Sequence, residues 1–465
     1  MDQPTNKPDR RISLCLAAMT ALLLFATQKA DADESKSTVD RPNVVFLFAD
    51  DLGYGDLACY GAPDVETPNL DRLARQGVRF TQHYSNGPEC SPTRTALMTG
   101  RYQQHVGGLE CAIGTGDVGR YDDAIRLAEQ HDLGLPSEWA ILPRAMRGAG
   151  YETVCFGKWH LGYQPKFNPH DAGFEKFFGC LGGYVDYFTH RELSPLDVLY
   201  ADRRPIEREG YMTHLLAEQA LSFLDKEHDR PFLLYVPFTS PHFPFQSPDD
   251  RKRETTADNL TKGTREEYVE LVEDLDRQVG RILKRIDSQG LAENTVVVFA
   301  SDNGAMAPGR NLPLSGFKGT VEEGGIRVPL IARWPGKLSA GETCEQPCLT
   351  FDLTASFLAI AGAKAPKSRP LEGIDILSHA AEGRDDVQRT LFWRGRRGER
   401  TERAVRHGDL KYLHRRLDDG DVIEGLYDLA QDPAESNNLM KQRGEDLARL
   451  RQLLADWERD VKADR

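Results

Sequence analysis

The 465-residue sequence predicts a large α/β domain followed by a small α+β domain, and three observations lead to this prediction. Uninterrupted apolar runs end abruptly in polar residues, which is typical of parallel strands buried on both faces. Helical patterns lie between these runs. Beyond about residue 370 the pattern changes to short strands and turns, which end in a final amphipathic helix.

The predicted strands of the large domain are the apolar runs NVVFLFADD (43–51), YETVCFGKWH (151–160), PFLLYVPFTSPH (231–242) and TVVVFASDNG (295–304). A helix is predicted over 67–77, with Pro68 near its start and Gly77 at its end. A longer amphipathic helix is predicted over 264–286, where Thr264 and Glu267 form a capping box. Its apolar residues step by three or four along one face: Tyr268, Leu271, Val272, Leu275, Val279, Ile282, Leu283 and Ile286.

The small domain is predicted from the change of pattern around PLEGIDILSHAAEGRDD (370–386). The segments RTLFWRG, RAVRHGDLKYLH and EGLYDLAQDPAESNN follow, and a helix runs from about Glu445 to Val461. We therefore expect a catalytic domain over 33–375 and a C-terminal subdomain over 376–465.

Residues 1–32 have the pattern of a signal peptide. A basic start (Lys7, Arg10, Arg11) precedes an apolar run (12–26), and small residues follow at the expected cleavage site. The run is too short to cross a bilayer comfortably. We expect an exported protein, periplasmic or secreted, without a membrane anchor. The segment carries one net positive charge, so its removal changes the net charge from −13 to −14, which argues against general nucleic-acid binding.

Seven cysteines follow the predicted signal peptide: Cys59, Cys90, Cys111, Cys155, Cys180, Cys344 and Cys348. An odd number leaves at least one without an intramolecular partner in an oxidising compartment. Cys344 and Cys348 are a candidate pair, although several of the seven also fit buried free thiols.

Polar side chains follow each of the four predicted strands: Asp50 and Asp51, then Lys158 and His160, then His242, then Asp302 and Asn303. Ligands of open α/β sheets bind beyond the carboxyl ends of the strands. If the strands are parallel, these side chains meet in one crevice.

The oxygen donors among these residues (Asp50, Asp51, Asp302, Asn303) suit Ca²⁺ or Mg²⁺ and not a structural zinc. A single Asp-Asp pair fits a loop cap equally well, but two such pairs after buried strands favour a metal. The cations and imidazoles near these ligands are Lys158, His160, His242 and, from a glycine-rich loop, Lys318. They imply an anionic substrate, because they would stabilise the charge that develops on it during the reaction.

Cys90 directly precedes an apparent helix, TRTALMTG, whose dipole and Arg94 favour negative charge. A thiolate nucleophile is the direct interpretation of this position. It fits an exported protein poorly, because a free thiolate is easily oxidised there. We therefore expect Cys90 to be modified.

Several motifs together make the chain resemble the type I sulfatases of the alkaline-phosphatase superfamily over nearly its whole mature length. CSPTR (90–94) matches the Cys-x-Pro-x-Arg signature, and GYETVCFGKWHLG (150–162) matches the second signature. PNVVFLFADDLGYGD, SDNG and GFKGTVEEGGIRVP complete the set. The chain departs from the usual pattern at Glu89, where a small or apolar residue is common, at Thr93 and at Phe156.

The resemblance implies an alkaline-phosphatase-like α/β/α sandwich with a large, mostly parallel sheet and a small C-terminal subdomain with an antiparallel sheet. It also implies that a formylglycine-generating enzyme oxidises Cys90 to formylglycine (3-oxoalanine), whose hydrate attacks sulfur and then expels sulfate. One Ca²⁺ would be bound by Asp50, Asp51, Asp302, Asn303 and the modified Cys90. Arg94 and Lys158 would hold the formylglycine and the metal site, His160 would assist deprotonation of the hydrate, and His242 and Lys318 would contact the ester.

The segment GGYVDYFTHRE (182–192) resembles arylsulfatase B-like and N-acetylgalactosamine-6-sulfatase-like members, which favours a sulfated sugar or polysaccharide over the sulfate of a steroid or an aryl sulfate of a simple phenol. The interval 394–416 holds nine Arg or Lys residues against three acids, so it suits either a polyanion-binding patch or, as we favour, a solvated face. Trp393 suits either sugar stacking or core packing. Two alternatives remain: a phosphonate or phosphate ester hydrolase of the same superfamily, and a non-catalytic polyanion-binding protein.

Overall fold

The structure is a computed structural model that describes residues 1–2, 41–194, 196, 198–251 and 253–461. The predicted signal peptide therefore lies outside the described residues, apart from its first two. From Pro42 onward the described chain forms one compact unit. Within the described ranges, no helix combines the length and the apolar character needed to cross a bilayer.

The strands of this unit belong to one large sheet, one two-stranded sheet and one four-stranded sheet. In chain order they are β1 (Asn43–Ala49), β2 (Val78–Phe80), β3 (His83–Tyr84), β4 (Glu152–Phe156), β5 (Lys176–Cys180), β6 (Leu199–Ala201), β7 (Arg204–Pro205), β8 (Phe232–Pro237), β9 (Thr295–Ser301), β10 (Leu330–Arg333), β11 (Glu342–Cys344), β12 (Cys348–Leu349), β13 (Thr390–Arg397), β14 (Arg400–His407), β15 (Leu410–Arg416) and β16 (Val422–Asp428).

The large sheet has the order β11-β2-β10-β9-β1-β8-β4-β5-β6-β7. Its central strands β9, β1, β8, β4 and β5 are parallel, whereas β10 and β6 join them antiparallel on either side. All seven residues of β1 are buried, as the uninterrupted apolar run predicts. The predicted mostly parallel sheet is confirmed.

Helices cover both faces of the large sheet, because alternate side chains of β1 enter two different cores. Val45 and Leu47 pack in one core, and Val44 and Phe46 pack in the other. Helices Pro68–Gln76, Met212–Leu224 and Arg265–Ser288 contribute to the first core, and Cys90–Thr99, Ile141–Gly148 and Thr350–Ala361 contribute to the second. The remaining α-helices of the described ranges are Asp122–Glu129, Pro169–Ala172, Glu323–Ile326, Ile376–Glu382 and Gly444–Asp460. The α/β/α sandwich is confirmed.

The long amphipathic helix is confirmed over Arg265–Ser288, and its whole predicted apolar stripe is buried. The capping box is present at its start. The hydroxyl of Thr264 accepts a hydrogen bond from the Glu267 amide at 3.2 Å, and the Glu267 carboxylate accepts one from the Thr264 amide at 2.7 Å.

The C-terminal part contains the predicted small antiparallel sheet, in the order β13-β14-β15-β16. Helix Gly444–Asp460 packs Leu450 and Leu454 into the same core as Trp393 from β13. One difference concerns 370–386, where Asp375 caps a short helix, Ile376–Glu382, by accepting a hydrogen bond from the Ser378 amide. The domain boundary after residue 375 stays a prediction.

The seven cysteines that follow the predicted signal peptide are all free thiols in the structure. Five of them, Cys90, Cys111, Cys155, Cys180 and Cys348, are buried. The structure therefore agrees with the interpretation of several of these cysteines as buried free thiols. It contains no disulfide bond between Cys344 and Cys348.

Candidate active site

The polar residues that follow the four central strands lie at one edge of the large sheet. The strands β9, β1, β8 and β4 are neighbours in that order, and Ala49 pairs with Ser301 at the ends of β1 and β9. Backbone hydrogen bonds continue beyond the strands, from Asp50 N to Ser240 O and from Lys158 N to Pro237 O. The predicted convergence at the carboxyl ends of parallel strands is therefore present.

The four predicted metal ligands form a buried cluster of oxygen donors. Asp50, Asp51, Asp302 and Asn303 are each at most 2% exposed. Asp51 accepts a hydrogen bond from Asn303 Nδ2 at 2.7 Å, and its amide donates to Asp302 Oδ1 at 3.1 Å. Asn303 Oδ1 is buried without a hydrogen-bond partner in the structure, which is costly unless a cation meets it.

Ligand atoms of Asp50, Asp51, Cys90 and His242 all lie within 4.8 Å of one another. The carboxylates of Asp50 and Asp51 in this group, with Asp302 and Asn303 hydrogen-bonded to Asp51, are the oxygen donors that suit Ca²⁺. The residues therefore fit the expected ion, and their individual roles as ligands stay a prediction.

Cys90 is the first residue of helix Cys90–Thr99 and is 1% exposed. Its sulfur lies 3.4 Å from Asp50 Oδ1 and 3.7 Å from Asp51 Oδ1. Burial raises the pKa of the Cys90 thiol well above its ordinary value, although Lys158 and Lys318 oppose that shift. The unmodified side chain is therefore a protonated thiol that donates to carboxylates, which is a poor nucleophile.

Two buried cations hold the carboxylates in place. The Arg94 guanidinium donates from Nε to Asp302 Oδ2 at 2.9 Å, its Nη2 lies 2.8 Å from the same oxygen as an ion pair, and its Nη1 donates to the Lys158 carbonyl at 2.7 Å. The Lys158 ammonium donates to both oxygens of Asp50 at 2.6 and 2.8 Å. Burial raises the pKa of Asp50, and the Lys158 charge opposes that shift.

Lys318 and His242 form a hydrogen-bonded pair beside Asp51. Lys318 Nζ lies 2.6 Å from Asp51 Oδ2 and 3.0 Å from His242 Nε2. His242 Nδ1 lies 2.8 Å from the Phe243 carbonyl and must donate to it, so the neutral ring has an unprotonated Nε2 that accepts from Lys318. Burial, together with Lys318, lowers the pKa of His242 well below its ordinary value.

His160 lies in the same pocket but contacts a different partner. Its Nε2 lies 3.0 Å from the Ile113 carbonyl, and its buried Nδ1 has no hydrogen-bond partner in the structure. His160 and Asp51 both have left-handed backbone conformations, with φ of 55° and 63°. Such conformations are costly for residues other than glycine and cluster at functional sites.

A pocket of about 510 Å³ opens over Cys90, and His160, His242 and Lys318 line it. Aromatic and basic side chains that sequence reasoning did not assign to the site also line it: Tyr163, Tyr184, Phe243, Phe317, Arg120, Arg397 and Arg400. Tyr184 lies in the segment 182–192, and the resemblance of that segment to related sulfatases could have assigned Tyr184 to the site. Arg120 had no signal in the sequence, because its own neighbourhood contains no recognisable motif.

Most of the basic interval 394–416 forms ion pairs within the fold. Arg394 pairs with Glu110 at 2.6 Å, and Lys411 pairs with Glu323 at 2.9 Å. Within this interval, as the structure describes it, Arg397 and Arg400 are the residues that line the pocket. Trp393 is fully buried, and its Nε1 donates to the Ser85 carbonyl at 2.8 Å. It therefore packs in the core and is not available to stack on a sugar.

Residues 42–363 match the family model described as Sulfatase. The chain belongs to the sulfatase family. Residues 317–460 also match the model described as N-sulphoglucosamine sulphohydrolase, C-terminal. Because its relatives are sulfatases, this member of the family is a sulfuric ester hydrolase.

Two relatives illustrate the breadth of the match. The N-acetylgalactosamine-6-sulfatase of Rattus norvegicus is 34% identical over 374 residues, which cover 76% of this chain and 68% of the relative. The steryl-sulfatase of Mus musculus is 31% identical over 461 residues, which cover 81% and 70% of the two chains. Among solved structures, Ps i-CgsB has 28% identity and a TM-score of 0.79, with 91% of this chain and 94% of that chain covered. Ps i-CgsB has also been solved in complex with k-i-k-neocarrahexaose.

Proposed function

We propose that this sulfatase hydrolyses the sulfate ester of a sulfated sugar, with a formylglycine made from Cys90 and with one bound Ca²⁺. The observation that carries the proposal is the position of Cys90, whose sulfur lies between Asp50 and Asp51 at a pocket that also contains His242 and Lys318. Formylglycine would supply an oxygen nucleophile in place of the protonated thiol.

Asp50, Asp51, Asp302 and Asn303 would hold the Ca²⁺. When bound, this ion would polarise the sulfate group and stabilise the charge that develops on its oxygens. The charges of the site support this role. Three buried carboxylates are already matched by three cations, Arg94, Lys158 and Lys318, so a divalent ion leaves an excess of positive charge for an anionic ester.

The chain's own donors suit the remaining tasks. Arg94 and Lys158 fix the carboxylates of Asp302 and Asp50, so the ligands do not reorganise during the reaction. Lys318 and His242 face the pocket next to Asp51. Lys318 would bind ester oxygens directly, His242 would do so once its Nε2 has taken up a proton, and one of them would give a proton to the leaving alcohol as the S–O bond breaks. His160 would assist deprotonation of the nucleophile from the same pocket.

A sugar substrate is supported by the relatives and by the pocket. The rat relative is an N-acetylgalactosamine-6-sulfatase, and Ps i-CgsB binds k-i-k-neocarrahexaose. Exposed aromatic surface, including Phe317 at 55% exposure, suits the apolar faces of sugar rings. We therefore propose a 6-sulfated amino sugar such as N-acetylgalactosamine 6-sulfate as the first substrate to test. We also propose that the protein is exported and that a formylglycine-generating enzyme matures it.

The first experiment is the mass of the tryptic peptide Phe80–Arg94 from protein made together with a formylglycine-generating enzyme. We expect the mass that corresponds to an aldehyde in place of the Cys90 thiol. The converted protein should then hydrolyse 4-nitrophenyl sulfate faster than 4-nitrophenyl phosphate. Faster phosphate hydrolysis would favour the phosphonate or phosphate ester hydrolase, and binding of sulfated glycans without any hydrolysis would favour the polyanion-binding protein.

A further inference from the structure

We infer that Arg120 and Arg397 form a second anion subsite in the active-site pocket, which selects sugars that carry a further sulfate or carboxylate beside the ester that is cleaved. This inference rests on the proposed function and specifies its substrate class. In an otherwise acidic chain, two guanidinium groups that line the pocket over Cys90 call for an anionic partner.

Arg120 is the stronger member of the pair because the fold does not use its charge. Its side chain is exposed and lines the pocket, and within the described residues no carboxylate lies within ion-pair distance of its guanidinium. Its carbonyl accepts a hydrogen bond from the Gly398 amide at 2.5 Å, which joins its loop to the hairpin between β13 and β14. Arg120 is thus fixed beside the residue that follows Arg397.

Arg397 is aimed by Glu89, the residue directly before Cys90. Arg397 Nε lies 3.3 Å from Glu89 Oε1, while Glu89 Oε2 accepts the Ala112 amide at 2.6 Å. The Arg397 side chain stays 47% exposed, so it keeps free donors for a ligand. One carboxylate that is shared with a backbone amide does not neutralise two arginines, and this part of the pocket is therefore left positive.

Arg400 lines the same pocket but does not belong to the proposed subsite. Its Nη2 donates to the Gly319 carbonyl at 2.7 Å, and its Nε donates to Glu402 at 2.8 Å. The bond to Gly319 connects β14 to the loop that carries Lys318. Arg400 therefore has a structural role, and its side chain is 24% exposed, against 47% for Arg397.

Aromatic rings in the same pocket suit a sugar bound between the two anion sites. The rings of Tyr184 and Phe243 lie 5.7 Å apart, and Phe317 is exposed. A sugar ring that packs on this surface, with its ester at Cys90, extends its neighbouring substituents into the rest of the pocket. An anionic substituent there would gain a charge-assisted hydrogen bond from Arg120 and from the donors that Arg397 does not use on Glu89.

The test compares the wild-type enzyme with Arg120→Gln and Arg397→Gln on three esters: 4-nitrophenyl sulfate, N-acetylgalactosamine 6-sulfate and N-acetylgalactosamine 4,6-disulfate. We expect the wild-type enzyme to prefer the disulfate in kcat/KM. Each variant should lose about 10- to 100-fold on the disulfate, as a charge-assisted hydrogen bond would, and less than about twofold on the esters with a single anionic group. High salt should reduce the wild-type preference.

Two controls separate a lost subsite from damaged folding. Arg396→Gln removes a neighbouring arginine that pairs with Asp122 at 3.6 Å and does not line the pocket over Cys90, so all three rates should stay unchanged. Arg397→Lys keeps the positive charge and should restore part of the preference for the disulfate.

Calorimetric binding of the two sugars to the same proteins keeps the inference separate from the proposed function. The wild-type protein could hydrolyse none of the esters and still bind the disulfate more tightly than the 6-sulfate. If Arg120→Gln and Arg397→Gln lose that difference in affinity, the result would refute the proposed function and support the subsite. A wild-type protein that treats both sugars alike or binds neither would overturn the subsite, and so would variants that lose equally on all three esters.

Discussion

Replacing Lys411 with methionine would test whether buried charges fasten the four-stranded sheet to the loop that carries Lys318. Lys411 lies on β15 and is fully buried, and its Nζ lies 2.9 Å from both Glu323 and Glu435. Glu435 in turn accepts hydrogen bonds from Ser315 Oγ and the Glu323 amide, each at 2.7 Å. The ammonium is thus shared by two buried carboxylates that brace the segment 315–323.

The expected cost follows from what the substitution leaves behind. Glu323 keeps the Tyr84 hydroxyl at 2.6 Å and Arg327 at 3.3 Å, but Glu435 loses its cation. An unpaired buried charge of this kind costs about 3–5 kcal/mol of the free energy of unfolding. For a unit of about 420 residues this corresponds to a fall in Tm of about 3–6 °C.

The cost should depend on pH with a definite sign. Burial raises the pKa of Glu323, but the charges of Lys411 and Arg327 outweigh burial and hold that pKa below its ordinary value. For Glu435 burial dominates, and its pKa lies above its ordinary value. Without Lys411 both folded-state pKa values rise. The variant therefore loses stability as the pH rises through the unfolded value of about 4.3, and its deficit is largest at neutral pH.

The assay is scanning calorimetry at a fixed scan rate, at pH 7 and near pH 5. The double variant Lys411→Met/Glu435→Gln removes one orphaned charge and should recover about half of the loss. A loss below about 1 kcal/mol, as for an exposed ion pair, would refute the reasoning, and so would a loss that does not shrink at the lower pH.

Three further predictions concern the site and the core. Asp302→Ala should abolish both stoichiometric Ca²⁺, measured by elemental analysis, and sulfatase activity; retained metal would contradict the ligand assignment. Gly183→Ala places a Cβ 2.8 Å from His160 Nε2 and would displace the imidazole. The kcat should therefore fall about 10- to 100-fold while Tm stays almost unchanged. A marked fall in Tm would indicate general damage instead. Trp393→Ala should cost about 3–5 kcal/mol of stability, because the indole is fully buried and bonded to Ser85; a selective loss on large substrates would mean that Trp393 contacts sugar.

The centre of the fold and the strand-end residues could be predicted from the sequence because both follow from local rules. An apolar run buried on both faces identifies a central parallel strand, and parallel strands bring their ends to one edge. Asp50 and Asp302 therefore meet although they are far apart in the chain. The helix Arg265–Ser288 could be predicted equally well, because its apolar stripe and its capping box both lie within a single segment of the sequence.

The pocket around the buried cluster could not be predicted, because partner choice there depends on distant segments. Arg394 and Arg397 lie three residues apart on β13, yet Glu110 neutralises the first and the second extends into the pocket beside Glu89. In the sequence, Arg394 and Arg397 are two equivalent positive charges of one basic interval. The short helix Ile376–Glu382 was also missed, because a capped helix of about two turns is difficult to distinguish from a turn-rich segment in a single sequence.

The burial of Cys90 has a consequence for the order of events in the cell. Its sulfur is enclosed by Asp50, Asp51 and the start of its own helix, and 1% of the residue is accessible. The formylglycine-generating enzyme that we propose would have to hold this side chain in its own active site, and the folded chain does not offer it. Under that proposal, maturation and folding compete for the newly made chain. A molecule that folds first would keep its thiol, and only unfolding would give it another opportunity to become active.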